Sequence, residues 1–360
     1  MKAIHLLALL VLGSIPSLAA QAPDSTNDER FKRFLERNPE SDINKDGVLT
    51  RDEVTQFNAQ RRREQPARPT SEERRPRHDN PAPTHADVSY GDHPRQAFDL
   101  WLAKPADGKP APLAIFIHGG GFRGGDKRGI SDIPVQKFLD QGISFASMNY
   151  RLSDTGPYPM QMHDAARGLQ FIRSRASEWN IDKQKVACFG GSAGAGISLW
   201  LAFHDDLADP ASSDPVARES TRIVAAAISN GQSTYDMRTF REWFGVPDLA
   251  PHPALTALYA VQSDADWESE RVKKLMADAS AITHLSKDDT APVFATHGRG
   301  DVPVDKNTSD GVWVHHVRLG LKLKEAMDKL GIECVVTSPD HPTDAYANLH
   351  DFIIRKLKEH

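Results

Sequence analysis

Between residues 96 and 337 short apolar runs alternate with stretches of helical periodicity. Runs at 96–103, 113–118, 143–149, 185–190, 222–229, 292–297 and 332–337 have the length and side-chain content of strands buried on both faces. The stretches 161–179, 192–206, 317–329 and 344–358 predict helices; in the last, Ala345, Leu349, Phe352, Ile353 and Leu357 form the apolar stripe, leaving His350 at the edge of the wet face. The alternation predicts an α/β domain with a mostly parallel central sheet flanked by helices. It breaks at 232–290, where Tyr235, Trp243, Phe244, Tyr259 and Trp267 lie among acidic, prolyl and alanyl residues, a pattern expected of a helical cap inserted over the sheet edge.

The N-terminal region follows other rules. Lys2, the apolar stretch Leu6 to Gly13 and the small residues up to Ala20 predict a cleaved signal over residues 1–20, hence export to the periplasm or the medium. That stretch is too short to span a bilayer, and no other stretch in the sequence approaches transmembrane length. Residues 27–59 contain Asp42, Asn44, Asp46, Val48, Thr50 and Glu53 at loop positions 1, 3, 5, 7, 9 and 12, with Gly47 at 6. This is the oxygen-donor set of an EF-hand-like calcium loop, with Val48 contributing its carbonyl and Glu53 both carboxylate oxygens. Phe31, Phe34 and Leu35 before the loop and Val54 and Phe57 after it supply small apolar faces, and Leu49 is expected to pack inward. Pro39 should end the entering helix early. The sequence shows one such loop, without a partner hand.

Residues 60–84 are dominated by arginines (61, 62, 63, 68, 74, 75 and 77) and prolines (66, 69, 76, 81 and 83), which predicts a disordered linker ahead of a domain at 85–360. Such a cationic linker could make weak contact with acidic polysaccharide or a membrane surface. The net charge of −5 and the lack of zinc spacing or base-stacking patterns argue against a nucleic-acid partner. Cys188 and Cys334 fall on strands expected to be separated by others, so both are read as buried thiols.

The candidate chemistry sits at strand ends. Cys188-Phe-Gly-Gly-Ser192-Ala-Gly-Ala195 puts a serine between a strand and the start of a helix, with Gly190, Gly191, Gly194 and Gly196 relieving the crowding of a tight reversal. His118-Gly-Gly-Gly121-Phe122 ends another strand, so the N–H groups of Gly120 and Gly121, with that of Ala193, could hold a developing oxyanion. Loops after later strands offer Asp301 and then His341, giving the order Ser192, Asp301, His341. The rivals are weaker: His297 is expected as a strand-end residue held by hydrogen bonds, Asp340 adjoins the histidine it would orient, and His315 and His316 precede a helix as a packing or solvent pair.

On these motifs, with Asn149-Tyr-Arg-Leu152 and Tyr90-Gly91, residues 85–360 resemble an α/β-hydrolase of the esterase and lipase group, in the hormone-sensitive-lipase-like or acetyl- and feruloyl-esterase-like branch. Gly191 and Ala195 depart from common choices in the lipase branch, and its Asp-Pro acid motif is absent. The resemblance implies serine-dependent hydrolysis of carboxylic esters of small molecules or polysaccharides through an acyl-enzyme, without a catalytic cofactor. The alternatives are an exopeptidase or lactonase, or a calcium-dependent binding protein with an inactive hydrolase-like domain.

Overall fold

The computed structural model describes residues 24–64 and 77–359, and the chain divides into two units after Arg75. The expected signal and residues 65–76 of the expected linker lie outside the described residues.

In the smaller unit, α1 (Glu29–Arg37) stops two residues before Pro39, a single 3-10 turn covers Pro39–Ser41, and α2 (Arg51–Glu64) follows the acidic loop. Phe34 meets Phe57 edge to face at 6.1 Å, and Leu49 is fully buried. The backbone of Leu49 is already paired: its N–H donates to Ser25 Oγ at 2.7 Å and its carbonyl accepts from the Ser25 N–H at 2.9 Å. Residues just before α1 thus pair with the backbone that leads into α2.

The larger unit is built on strands β1 (His85–Ser89), β2 (Ala97–Trp101), β3 (Ala111–Ile117), β4 (Ser144–Met148), β5 (Ile181–Gly191), β6 (Ala225–Ser229), β7 (Val293–Thr296) and β8 (Cys334–Thr337). They lie in the order β1-β2-β4-β3-β5-β6-β7-β8. β1 and β2 run antiparallel to their neighbours and β4 through β8 are mutually parallel with β3. Strand alternation sends Leu113, Ile115 and Ile117 into one core and Ala114 into the other, and divides Val186 and Cys188 from Ala187 and Phe189 in the same way. Burial on both faces is why these strands read as unbroken apolar runs. The first core is closed by α4 (Met160–Ser174), α5 (Ala193–Phe203) and α11 (Val317–Lys329), the second by α3 (Val135–Asp140) and α12 (Leu349–Glu359). Every residue of α5 is buried, so this helix is apolar all round.

Several details differ from the sequence expectation. β1 contains only exposed and half-buried residues and therefore leaves no apolar run to read. α12 starts at Leu349 rather than 344, and His350, expected at the wet face, packs edge-on against Phe138 and Phe189, where burial lowers its pKa to about 4. The larger unit also starts before 85. The His78 N–H donates to the Ser131 carbonyl, Asn80 bridges the Ile130 carbonyl and the Val135 N–H, and the Pro81 carbonyl accepts from the Trp101 indole at 2.7 Å. Both cysteines are free and buried.

Between β6 and β7 the chain runs through α6 (Met237–Phe244), α7 (Pro253–Leu258), α8 (Glu270–Ala279) and α9 (Ala281–His284), the helical segment expected at 232–290. A last short helix, α10 (Asp310–Trp313), lies between β7 and α11. Among the described residues no helix is long and apolar enough to cross a membrane.

Candidate active site

The order β4-β3-β5 reverses the direction of chain progression at β3, so a crevice opens beyond the carboxyl ends of β3 and β5. Ser192 stands at this point with φ 50° and ψ −119°, between the end of β5 and the first turn of α5. Its N–H is held by the Ser229 carbonyl and its own carbonyl accepts from the Gly196 N–H. A non-glycine residue in this left-handed region is strained, and the strain is imposed by the strand and helix on either side. A Cβ at Gly190 would lie 2.3 Å from the Ile117 carbonyl oxygen, one at Gly194 2.0 Å from the same atom, and one at Gly196 2.0 Å from the Tyr235 hydroxyl. Gly191 differs from its neighbours, because a Cβ there would meet only the Ser229 carbonyl at an ordinary 3.7 Å.

The glycine loop after β3 is fixed from both ends. Gly120 (φ +107°) and Gly121 (φ +59°) adopt conformations that favour glycine, and Phe122 beyond them is buried edge-on against Tyr235. His118 stacks on Tyr150, and its Nδ1 lies 2.7 Å from the Gly119 carbonyl while Arg95 donates to its Nε2 at 3.0 Å. Burial lowers the His118 pKa to about 4, so the ring is neutral and can make both bonds at once. Asn149-Tyr-Arg-Leu152 braces the region: the Tyr150 hydroxyl donates to the His118 carbonyl, and Arg151 pairs with the buried Asp164.

Ser192, Ala193, Gly120 and Gly121 line a cavity of about 580 Å³ together with Arg123, Tyr235 and Phe240. The hydrogen-bond partner of Ser192 Oγ is His315, whose Nε2 lies at 3.0 Å. This histidine, expected as a packing or solvent residue, follows α10. Its Nδ1 is 3.1 Å from the Gly311 carbonyl, and burial, with a smaller contribution from Arg299, lowers its pKa. His316 turns the other way: fully buried, it accepts from the Arg318 N–H at the start of α11 and donates to the Val302 carbonyl.

The other two residues of the expected triad are not brought to Ser192. His341 is exposed, and its backbone is paired with Ser338 in a turn after β8. The Asp301 carboxylate accepts from Arg318 at 2.7 Å and lies 3.6 Å from His316 Nε2. Asp340 binds the Asp301 N–H rather than a histidine side chain. His297 is a buried strand-end residue, bonded through Nδ1 to the His315 carbonyl, and burial lowers its pKa to about 4.

The sequence profile described as BD-FAE matches residues 98–313, a span that includes the glycine loop and the serine elbow. The chain belongs to the BD-FAE family. Beyond this BD-FAE match, the chain is 30% identical over 224 residues to "Probable carboxylic ester hydrolase LipM" of Mycobacterium tuberculosis, covering 61% of this chain and 49% of that protein. It is 26% identical over 238 residues to "Probable isoprenylcysteine alpha-carbonyl methylesterase ICMEL1" of Arabidopsis thaliana, covering 66% and 48%. The chain thus spans about half the length of the curated relatives it matches. Among solved structures, "Truncated form of carbohydrate esterase from gut microbiota" superposes with a TM-score of 0.56 at 17% identity, covering 76% of this chain and 96% of that one, a likeness of fold. The sheet order and elbow of this BD-FAE chain are those of an α/β-hydrolase.

Proposed function

We propose that this protein hydrolyses carboxylic esters with Ser192 as nucleophile and His315 as general base. The observation that carries this reading is the 3.0 Å approach of His315 Nε2 to Ser192 Oγ inside the cavity. With Nδ1–H donated to the Gly311 carbonyl, the Nε2 lone pair faces the serine hydroxyl, so the backbone carbonyl fixes the tautomer that a carboxylate commonly fixes. Nε2 takes the hydroxyl proton as Oγ attacks the ester carbonyl, and the N–H groups of Gly120, Gly121 and Ala193 receive the negative charge on oxygen. The same histidine then protonates the leaving alcohol, and a water activated by it releases the acyl group. The names of the relatives, all esterases or ester hydrolases, agree with this chemistry.

For substrate we propose short acyl groups on carbohydrate or other small alcohols, since Phe240 and Leu255 give the cavity an apolar wall while Arg123 and Gln232 give it a polar one. The test is a panel of acetylated xylan, methyl ferulate and p-nitrophenyl esters of graded chain length, with a fluorophosphonate label and Ser192→Ala as the blank. Labelling at Ser192 and a short-chain maximum are expected. A folded wild type that takes no label would instead support a binding protein with an inactive hydrolase-like domain, and a long-chain maximum would remove the carbohydrate preference.

We also propose that the loop from Asp42 to Glu53 holds a calcium ion. Its donors already converge: Asp42 accepts from the Asp46 and Gly47 N–H groups, Asn44 Oδ1 from the Asp46 N–H, and the mostly buried Glu53 carboxylate from the Asn44 and Thr50 N–H groups. These hydrogen bonds lower the Glu53 pKa, with those from Thr50 the largest cause, and keep the group ionised for a cation. Asp42, Asn44, Asp46, the Val48 carbonyl, Thr50 and Glu53 would hold the ion, whose part here is structural. Glu53→Gln in the full chain should weaken calcium binding about tenfold or more by calorimetry. Small-ester turnover should stay within about twofold, because no residue of the proposed acyl-transfer step belongs to the loop.

A further inference from the structure

Two histidines and an aspartate outside the cavity form a second concentration of metal-ligating groups. His204 is the residue that ends α5, Asp278 belongs to the last turn of α8, and His284 ends α9. One ligand atom from each lies within 4.8 Å of the others, and each side chain is at least partly open to solvent. We propose that His204, Asp278 and His284 bind a divalent transition metal, with zinc the best match, and that the ion fastens the segment between β6 and β7 to the far end of the helix that carries Ser192.

Three features prepare these side chains for a metal. His204 lies flat on the Trp200 indole at 3.9 Å between centroids and its Nδ1 is 2.9 Å from the Asp205 carbonyl, which leaves Nε2 as the lone-pair nitrogen. His284 Nε2 is 2.7 Å from the Asp278 carbonyl and 3.9 Å from Asp278 Oδ1, and the two imidazoles are 4.5 Å apart. A backbone carbonyl bonded to the non-ligating nitrogen, as at His204, is a usual outer partner of metal-bound histidine. The third feature is the Tyr158 hydroxyl, which donates to Asp278 Oδ2 at 2.6 Å and so orients the carboxylate with Oδ1 toward the His284 ring, 3.9 Å from Nε2.

Zinc fits the donor set better than calcium or magnesium. Two imidazole nitrogens and one carboxylate oxygen, with water as a fourth ligand, suit a tetrahedral ion, whereas calcium takes oxygen almost exclusively. Bonds of about 2.0 to 2.1 Å hold tetrahedral ligand atoms roughly 3.4 Å apart. The side chains must therefore close by roughly 1.4 Å at most from the observed limit of 4.8 Å, within reach of small torsional changes in His284 and Asp278 at their helix ends.

The test is zinc titration of the full chain by calorimetry in excess calcium, which saturates the carboxylate loop but does not compete for imidazole, together with thermal unfolding. The wild type should bind one zinc at this site and gain about 3 °C or more in Tm. His204→Gln, His284→Gln and Asp278→Asn should each weaken that binding at least tenfold and remove the Tm gain, while zinc-free ester turnover stays unchanged. His204 packs on Trp200 and its loss could disturb folding; His284→Gln carries the test if circular dichroism shows that it does. Zinc affinity unchanged within twofold in His284→Gln, or wild-type binding no tighter than that of a His204→Gln/His284→Gln double variant, would overturn the proposal.

Discussion

Replacing His315 by alanine should lower kcat for a small ester by roughly 10³- to 10⁶-fold, the range seen when a general base is removed from a serine hydrolase. His341→Ala should stay within about threefold of wild type, because that side chain is exposed and its turn is held by backbone bonds to Ser338. Asp301→Asn tests the remaining member of the expected triad. Its carboxylate is committed to Arg318, so a loss of about tenfold or less is expected, through α11 rather than through the tautomer of His315. The pH profile supplies a second readout. His315 must be neutral to act as a base, and its pKa is lowered from 6.5, so kcat/KM should fall on acidification with a midpoint below the ordinary histidine value. A wild-type midpoint above 6.5, or the large loss appearing in His341→Ala instead, would remove His315 from the role.

The second large effect concerns the elbow backbone. Gly194→Ala would set a methyl 2.0 Å from the Ile117 carbonyl oxygen and 2.6 Å from that of His118, both main-chain atoms of β3 and the glycine loop. Neither can move alone, so β3 and α5 would have to separate across the first core. We expect a loss of about 3 kcal/mol in thermal unfolding, the upper part of the range for overpacking, and near-complete loss of turnover. Gly191→Ala is the matched control: with 3.7 Å to the Ser229 carbonyl, it should change stability by less than about 1 kcal/mol. Equal behaviour of the two variants would mean that the strand end relaxes more easily than this geometry implies.

The contrast between these glycines indicates what the chain reveals when read in one dimension. Ser192 and the loop at Gly119–Gly121 were legible because their constraints are local: a strand end, small residues and a reversal lie within a few positions. Strands β2 to β7 were legible because burial leaves apolar runs, and β1 was not because none of its residues is buried. His315 carried no comparable mark. It follows a helix of only four residues, too short to show a period, and one position separates it from a fully buried capping histidine of the same type. Which of the two rings reaches Ser192 depends on the path from β7 to α11, and spacing does not encode that path. Asp301 followed the expected motif, yet its carboxylate was claimed by Arg318 of a neighbouring helix, a competition visible only once the helix is packed.

The hydrogen bonds at His78, Asn80 and Pro81 bear on how this chain could exchange its front end over evolution. A recombination joint at residue 85 would look clean, since it falls where β1 begins, but it would orphan the buried Trp101 indole N–H and discard both bonds of Asn80. A buried donor left without a partner costs about 1–3 kcal/mol, enough to handicap a new fusion before any function is selected. Joints upstream of His78 keep these bonds. The arginine- and proline-rich stretch before it is therefore where modules can be traded, with the few residues that follow travelling as part of the larger unit.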